Sequence, residues 1–125
     1  MTENQISYQI RGAIFSVYNE LGPGLLESIY QEALLLDLRK RGLIVKSEVP
    51  VPVYYNKQRL NLNYRIDVLV EDKVIIELKS VEHLMPVHHK QVLTYLKITN
   101  LKLAILVNFN VNEITKGIFR KVNNL

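Results

Sequence analysis

Residues 64–80 read YRIDVLVEDKVIIELKS, two apolar runs on either side of the polar Glu71-Asp72-Lys73. Ile66, Val68 and Val70 recur at every second position, and Val74, Ile76 and Leu78 do the same beyond the turn. That period is the signature of paired strands. Into it are set Asp67, Glu77 and Lys79. Taking an acid or an ammonium group out of water is expensive unless it is paired or holds a metal. Glu77 and Lys79 are two apart on one strand, so they share a face. Whether Asp67 joins them depends on the turn. A two-residue loop of Glu71 and Asp72 sets Asp67 opposite Ile76, facing away from Glu77. A three-residue loop pairs Val70 with Val74 and sets Asp67 across from Glu77, with Cβ atoms about 4.5–5.5 Å apart. Two carboxylates that close repel unless a cation lies between them. The three-residue register, or an equivalent bulge, is the expectation.

Upstream of this hairpin the period is helical. Ile6, Ile10, Ala13, Ile14, Val17, Tyr18 and Leu21 predict an amphipathic helix over about 3–21, stopped by Gly22-Pro23-Gly24. A second, well-buried helix is expected over about 25–41, with Arg39-Lys40-Arg41 at its C-terminal end and Gly42 as terminator. Val49, Val51, Val53 and Tyr55 then alternate with Pro50, Pro52 and Tyr54, an edge strand because proline cannot donate to a ladder. An unbroken alternation from Leu60 to Val70 completes a three-strand antiparallel meander with Val74–Leu78. Pro86 opens a third helix to about Ile98, and Leu103–Val107 is a buried strand, parallel to a neighbour because a helix precedes it. Gly117 to Val122 offers a last short strand. The order defines an α/β sandwich, one mixed sheet with helices on its faces.

The totals bound the rest. The chain has 125 residues, which suits a single domain over 1–125. With 48% hydrophobic and 22% charged residues it is an ordinary globular composition. There is no cysteine, so any metal is held by oxygen or imidazole. The net charge of +4 permits a polyanionic partner without demonstrating one. No apolar run reaches the length of a membrane span, and MTENQISYQI lacks the pattern of a secretory signal. A cytoplasmic protein with no membrane partner is expected.

Given the three-residue register, Asp67 and Glu77 are hard oxygen ligands suited to Mg²⁺ or Mn²⁺, with the backbone carbonyl of Leu78 as a further ligand. Lys79 would orient a water or stabilise charge developing on a phosphate. The plainer reading is a hairpin with two exposed acids and Lys79 as their surface partner.

The wider sequence bears on that choice. Asp67 followed by Glu77-Leu78-Lys79 resembles the signature of the PD-(D/E)XK nuclease superfamily, with Ile66 where the name has proline. The order helix, three strands, helix, strand is similar to that superfamily's core. Gly24-Leu25-Leu26-Glu27-Ser28-Ile29-Tyr30, with LGPGLLESIYQEAL, VPVYY, ELKSVEHLMPVHHKQVLTYLK and the late Asn108-Phe109, resembles the GxxExxY protein family, a branch of the superfamily. The resemblance implies a restriction-endonuclease-like fold and a divalent-metal-dependent nuclease. It also implies an extra metal ligand on an early helix, Glu27. Gly24, Glu27 and Tyr30, three apart, form one helical stripe. Gly24 would let the helix start approach another backbone closely, and Tyr30 would support the site or the core. For Glu27 the plainer part is to stabilise the first helical turn through the dipole. Gln91-Val92-Leu93-Thr94-Tyr95 resembles the QxxxY motif of exonuclease-type members, in which Gln and Tyr face the active site. His88 shares their helical face and is suited to phosphate contact or proton transfer near neutral pH.

Two functions are therefore in contention. One is a Mg²⁺- or Mn²⁺-dependent nuclease acting on nucleic acid, DNA rather than RNA, with Asp67, Glu77, Lys79 and Gln91 as its catalytic set. The other is a catalytically silent module of the same fold that binds nucleic acid or a protein partner. The small size is consistent with a homodimer or larger complex.

Overall fold

The computed structural model describes residues 1–125. Helix α1 spans Glu3–Leu21 and starts at Thr2, whose hydroxyl accepts from the Gln5 N–H while the Gln5 side chain reaches back to the Thr2 N–H. This reciprocal cap satisfies two otherwise orphan donors. Helix α2 spans Glu27–Lys40, two residues shorter at its start than the apolar pattern implies. Gly24 holds a φ of +97° there, with nothing within 4 Å of a Cβ built on it. It serves a left-handed corner and not a close backbone approach, which corrects the expectation from its place in the helical stripe.

Five strands form one sheet in the order β1-β4-β5-β6-β7. They are β1 Val45–Pro50, β4 Arg65–Val70, β5 Val74–Lys79, β6 Leu103–Asn108 and β7 Ile118–Val122. Only β5 and β6 run parallel, joined by helix α3, Pro86–Thr99. The meander is β1-β4-β5, but its first strand lies earlier than the valine alternation suggests. The Val51 N–H still donates to the Tyr64 carbonyl at 2.8 Å, after which the chain leaves the sheet. Pro52 has no N–H with which to continue the ladder. Tyr54–Tyr55 (β2) pairs instead with Gln58–Arg59 (β3) in a separate hairpin. Its turn residues Asn56 and Lys57 take φ of +50° and +64°, the left-handed pair a two-residue hairpin loop requires.

The sheet has a filled face on each side. Ile6, Ile10 and Ile14 of α1 and Tyr30, Leu34 and Leu38 of α2 cover Val68, Val70, Val74, Ile76, Leu78, Ile105 and Val107. Val92, Tyr95 and Leu96 of α3 cover the other face with Ile75, Ala104 and Leu106. The alternation of β5 therefore sends Val74, Ile76 and Leu78 towards α1 and α2. Ile75, Glu77 and Lys79 take the α3 side. No helix is long and apolar enough to cross a membrane.

Candidate active site

The turn decides the site. Val68 pairs with Ile76, Leu69 with Ile75 and Val70 with Val74, which leaves Glu71, Asp72 and Lys73 as the loop. Glu71 and Asp72 both adopt left-handed φ, +53° and +54°, and the Lys73 N–H closes on the Val70 carbonyl at 3.0 Å. Continuing this register by one residue sets Asp67 across from Glu77. There the side chains replace the regular ladder. The Asp67 N–H donates to Glu77 Oε1 at 3.0 Å, and the Leu78 N–H donates to Asp67 Oδ2 at 3.0 Å. Each carboxylate is oriented by a backbone donor of the opposite strand.

This arrangement is electrostatically tense. Glu77 is only 3% exposed. Burial, and then the charge of Asp67, push its carboxyl up to about 9. Burial also raises Asp67, against the Leu78 N–H bond and the nearby Lys79 charge, which favour its ionised form. Lys79 is half-buried and its ammonium makes neither a hydrogen bond nor an ion pair. A dication between the two acids would remove the repulsion and return both to the carboxylate form. The donor set fits a hard cation, since Mg²⁺ typically takes one or two carboxylates and fills its other positions with water and phosphate. No group of three or more acidic, histidine or cysteine ligands is assembled here or elsewhere.

Helix α3 approaches the pair from the same face. The Tyr95 hydroxyl donates to the Arg65 carbonyl at 2.9 Å and accepts from the Gln91 amide at 3.2 Å. Burial, then the charge of Glu77, push the Tyr95 phenol up to about 12. Tyr95 is thus buried between α3 and the start of β4, and it holds the half-buried Gln91 at the margin of the acids. His88 is a capping residue. Its Nδ1 accepts from the Met85 N–H at 3.0 Å, which leaves only Nε2 free as a donor.

Helix α2 packs on the opposite face, and it reaches the neighbourhood of Asp67 through Gln31, whose amide donates to Glu48. The Ser80 hydroxyl donates to the Leu25 carbonyl at 2.5 Å, joining the segment before α2 to the residue after Lys79. Glu27, the first residue of α2, is exposed and without a hydrogen bond, and it is not grouped with Asp67 and Glu77. Tyr30 is fully buried and cannot touch a substrate. Its hydroxyl donates to the Gly22 carbonyl at 2.5 Å and accepts from the Leu25 N–H at 3.1 Å. Its ring stacks on Phe109 at 4.4 Å. Tyr30 and Phe109 together brace the corner from which α2 starts.

Two residues have a part at the site that the sequence reading did not assign. Asn108, 3% exposed, ends β6 beside Lys79, its amide bonded to both the N–H and the carbonyl of Val81. It pins the chain as it leaves the site. Glu48 is the other. Ser47 pairs with Val68 and Val49 with Ile66, so Glu48 sits at the position opposite Asp67, with a left-handed φ of +51°. It accepts from the Gln31 amide at 3.1 Å, and its charge bears on Asp67. The signal was masked because the valine and proline alternation draws the edge strand downstream of Glu48.

An acid pair across a three-residue turn, Glu77 buried and Asp67 half-buried, with a free lysine two residues on, sits in an α/β fold of five mixed strands and three helices. The sequence profile of the PD-(D/E)XK nuclease superfamily matches residues 4–121, and the chain belongs to that superfamily. Its members are in general nucleases that use divalent metals, and a nuclease-type function is what membership supports. Comparison with curated proteins and with solved structures gives no significant match.

Proposed function

We propose that this chain hydrolyses phosphodiester bonds, in DNA rather than RNA, with Mg²⁺ or Mn²⁺ held by Asp67 and Glu77. The observation that carries the reading is the direct opposition of these two acids, each made harder to ionise by burial, with the unpaired Lys79 alongside. A purely structural hairpin has no use for that combination. When bound, the cation supplies polarisation of a phosphate oxygen and a lowered pKa for coordinated water. The chain's own residues do the rest. Asp67, Glu77 and the Leu78 carbonyl present oxygens. The Lys79 ammonium orients the attacking water or stabilises charge developing on the phosphate. Gln91, steadied by Tyr95, positions the phosphate or the water, and His88 Nε2–H serves phosphate. Glu27 at the start of α2 and Glu48 on β1 compete for the place of third acid, and Glu48 already acts on Asp67.

Within the superfamily we place the chain in the GxxExxY branch. The support is the Gly24, Glu27 and Tyr30 pattern with the Tyr30–Phe109 stack, which gives two of the shared residues one physical purpose.

The test is cleavage of labelled single- and double-stranded DNA and RNA with Mn²⁺, Mg²⁺ or EDTA, by wild type and by Glu77→Ala and Lys79→Ala. Metal-dependent cleavage should fall by about 100-fold or more in each variant, the loss typical of removing one stabilising group from a reacting phosphate. Equal residual cleavage in all three proteins means a contaminant and sinks the proposal. A folded wild type that binds no Mn²⁺ at millimolar concentration instead marks a silent binding module.

A further inference from the structure

The β2–β3 hairpin stands outside both packed faces. From Pro52 to Asn63 every residue but Val53 is exposed, and β2 and β3 pair only with each other. Tyr54 and Tyr55 are 61% and 68% exposed, and Leu60 and Leu62 are also open to solvent. A two-stranded ribbon is marginal by itself in water, so large apolar groups displayed on one need a use.

Its charge is one-sided. Between Glu48 and Asp67 there is no acid, while Lys57, Arg59 and Arg65 are all basic. None of the three forms an ion pair. Its position is equally specific. β4 starts at Arg65, at the end of the sheet where β5 finishes with Lys79. Arg65 is two residues from Asp67, roughly 7 Å along the strand. At the base of the hairpin, Tyr64 packs on Tyr95 with ring centroids 4.7 Å apart, next to Gln91. The ribbon therefore projects from the lip of the acid pair. Exposed rings beside unpaired cations suit a polymer with a flat apolar base and a phosphate at each step.

We propose that this hairpin is a grip for single-stranded nucleic acid, with Tyr54 and Tyr55, one on each face of the ribbon, as alternative stacking platforms and Lys57, Arg59 and Arg65 as phosphate contacts. It rests on the nuclease reading for the direction in which the strand leads, towards Asp67 and Glu77. A duplex hides its base faces, so the tyrosines favour an unpaired strand or a frayed end.

The experiment is fluorescence anisotropy with labelled oligo-dT and a duplex of equal length, in EDTA so that nothing is cleaved. Tyr54→Ala with Tyr55→Ala should weaken oligo-dT binding by about 5- to 150-fold per stacked base and leave duplex binding nearly unchanged. Lys57→Gln with Arg59→Gln should lower the single-strand salt slope by about 1.4. Thermal melts confirm that both proteins are folded, as the exposed positions lead one to expect. Wild-type affinity in both variants overturns the proposal, and so does a wild type that binds neither probe. Sedimentation of the same proteins covers the other occupant. If the tyrosine variant dissociates a dimer without losing oligonucleotide affinity, the hairpin is a contact between copies and the proposal fails. Because binding is read without hydrolysis, an inactive protein with hairpin-dependent binding refutes the nuclease reading alone. An active one with indifferent hairpin variants refutes only the grip.

Discussion

At the scale of single residues, Glu77 carries the cost of the site. It is buried, faces a second acid, and has one backbone donor for its charge. Near pH 8 the unfolded glutamate is ionised, whereas folded Glu77, raised to about 9, must take up a proton, and each unit of pKa difference costs about 1.4 kcal/mol. Glu77→Gln keeps an oxygen for the Asp67 N–H and has no proton to take up. In EDTA near pH 8 its urea unfolding free energy should exceed that of wild type by more than about 1.4 kcal/mol. Stability equal to or below wild type would mean that the pair is not strained. The same variant should gain nothing from Mn²⁺. Sequence alone identified Glu77, Asp67 and Lys79, because acids and a lysine inside an apolar alternation are conspicuous. It could not identify Glu48, whose relevance depends on a partner strand, or the full burial of Tyr30, whose helix covers the opposite face.

At the scale of elements, the site depends on where β5 and β6 end. Asn108 closes β6 with two bonds to Val81, and Gly117 lies against the Asn108 carbonyl. A Cβ at Gly117 would stand 2.4 Å from that oxygen, a distance that backbone cannot accept without moving. Gly117→Ala should destabilise the fold by about 1–3 kcal/mol, the usual cost of overpacking. It should also loosen the segment after Lys79, read as faster amide exchange at Val81. An unchanged melting curve would show that the loop shifts freely. The helices and the central hairpin were legible because their periods are long or regular. The edge strand was not. Prolines at alternate positions mimic strand alternation while denying the ladder its donors, so the chain turned out of the sheet at Pro52 and formed the β2–β3 ribbon.

At the scale of the whole molecule, the acid pair couples stability to pH and, under the proposed function, to Mn²⁺. The Glu77 carboxyl is raised from an ordinary glutamate value to about 9, and Asp67 moves the same way. Between these limits the folded protein holds a proton that the unfolded chain has released. The slope of unfolding free energy with pH is therefore negative. Metal-free protein should lose stability as pH rises from about 4.5 towards 9, and most of the slope should vanish in Glu77→Gln. Added Mn²⁺ at a hundredfold excess over its dissociation constant should restore about 2.7 kcal/mol. At a fixed Mn²⁺ concentration that gain should grow with pH, because protons and metal compete for the same oxygens. Melting temperatures across pH with EDTA or Mn²⁺ measure both. A metal effect that is flat with pH would remove the two acids from the binding site.

The sequence by itself determined the layers, the parallel crossover and the identity of the acids and lysine. These are read from local period and from charges that no apolar strand would carry without cause. Only the tertiary structure decided that Asp67 and Glu77 meet, since one residue more or less in the turn reverses a face. It also decided that α3 with Gln91 and Tyr95 shares their face, while Glu27 on α2 is not grouped with them. Strand period sets which side chains alternate, but the packing of helices on each face sets which neighbours they meet. That is a property of the assembled sheet, and no single segment encodes it.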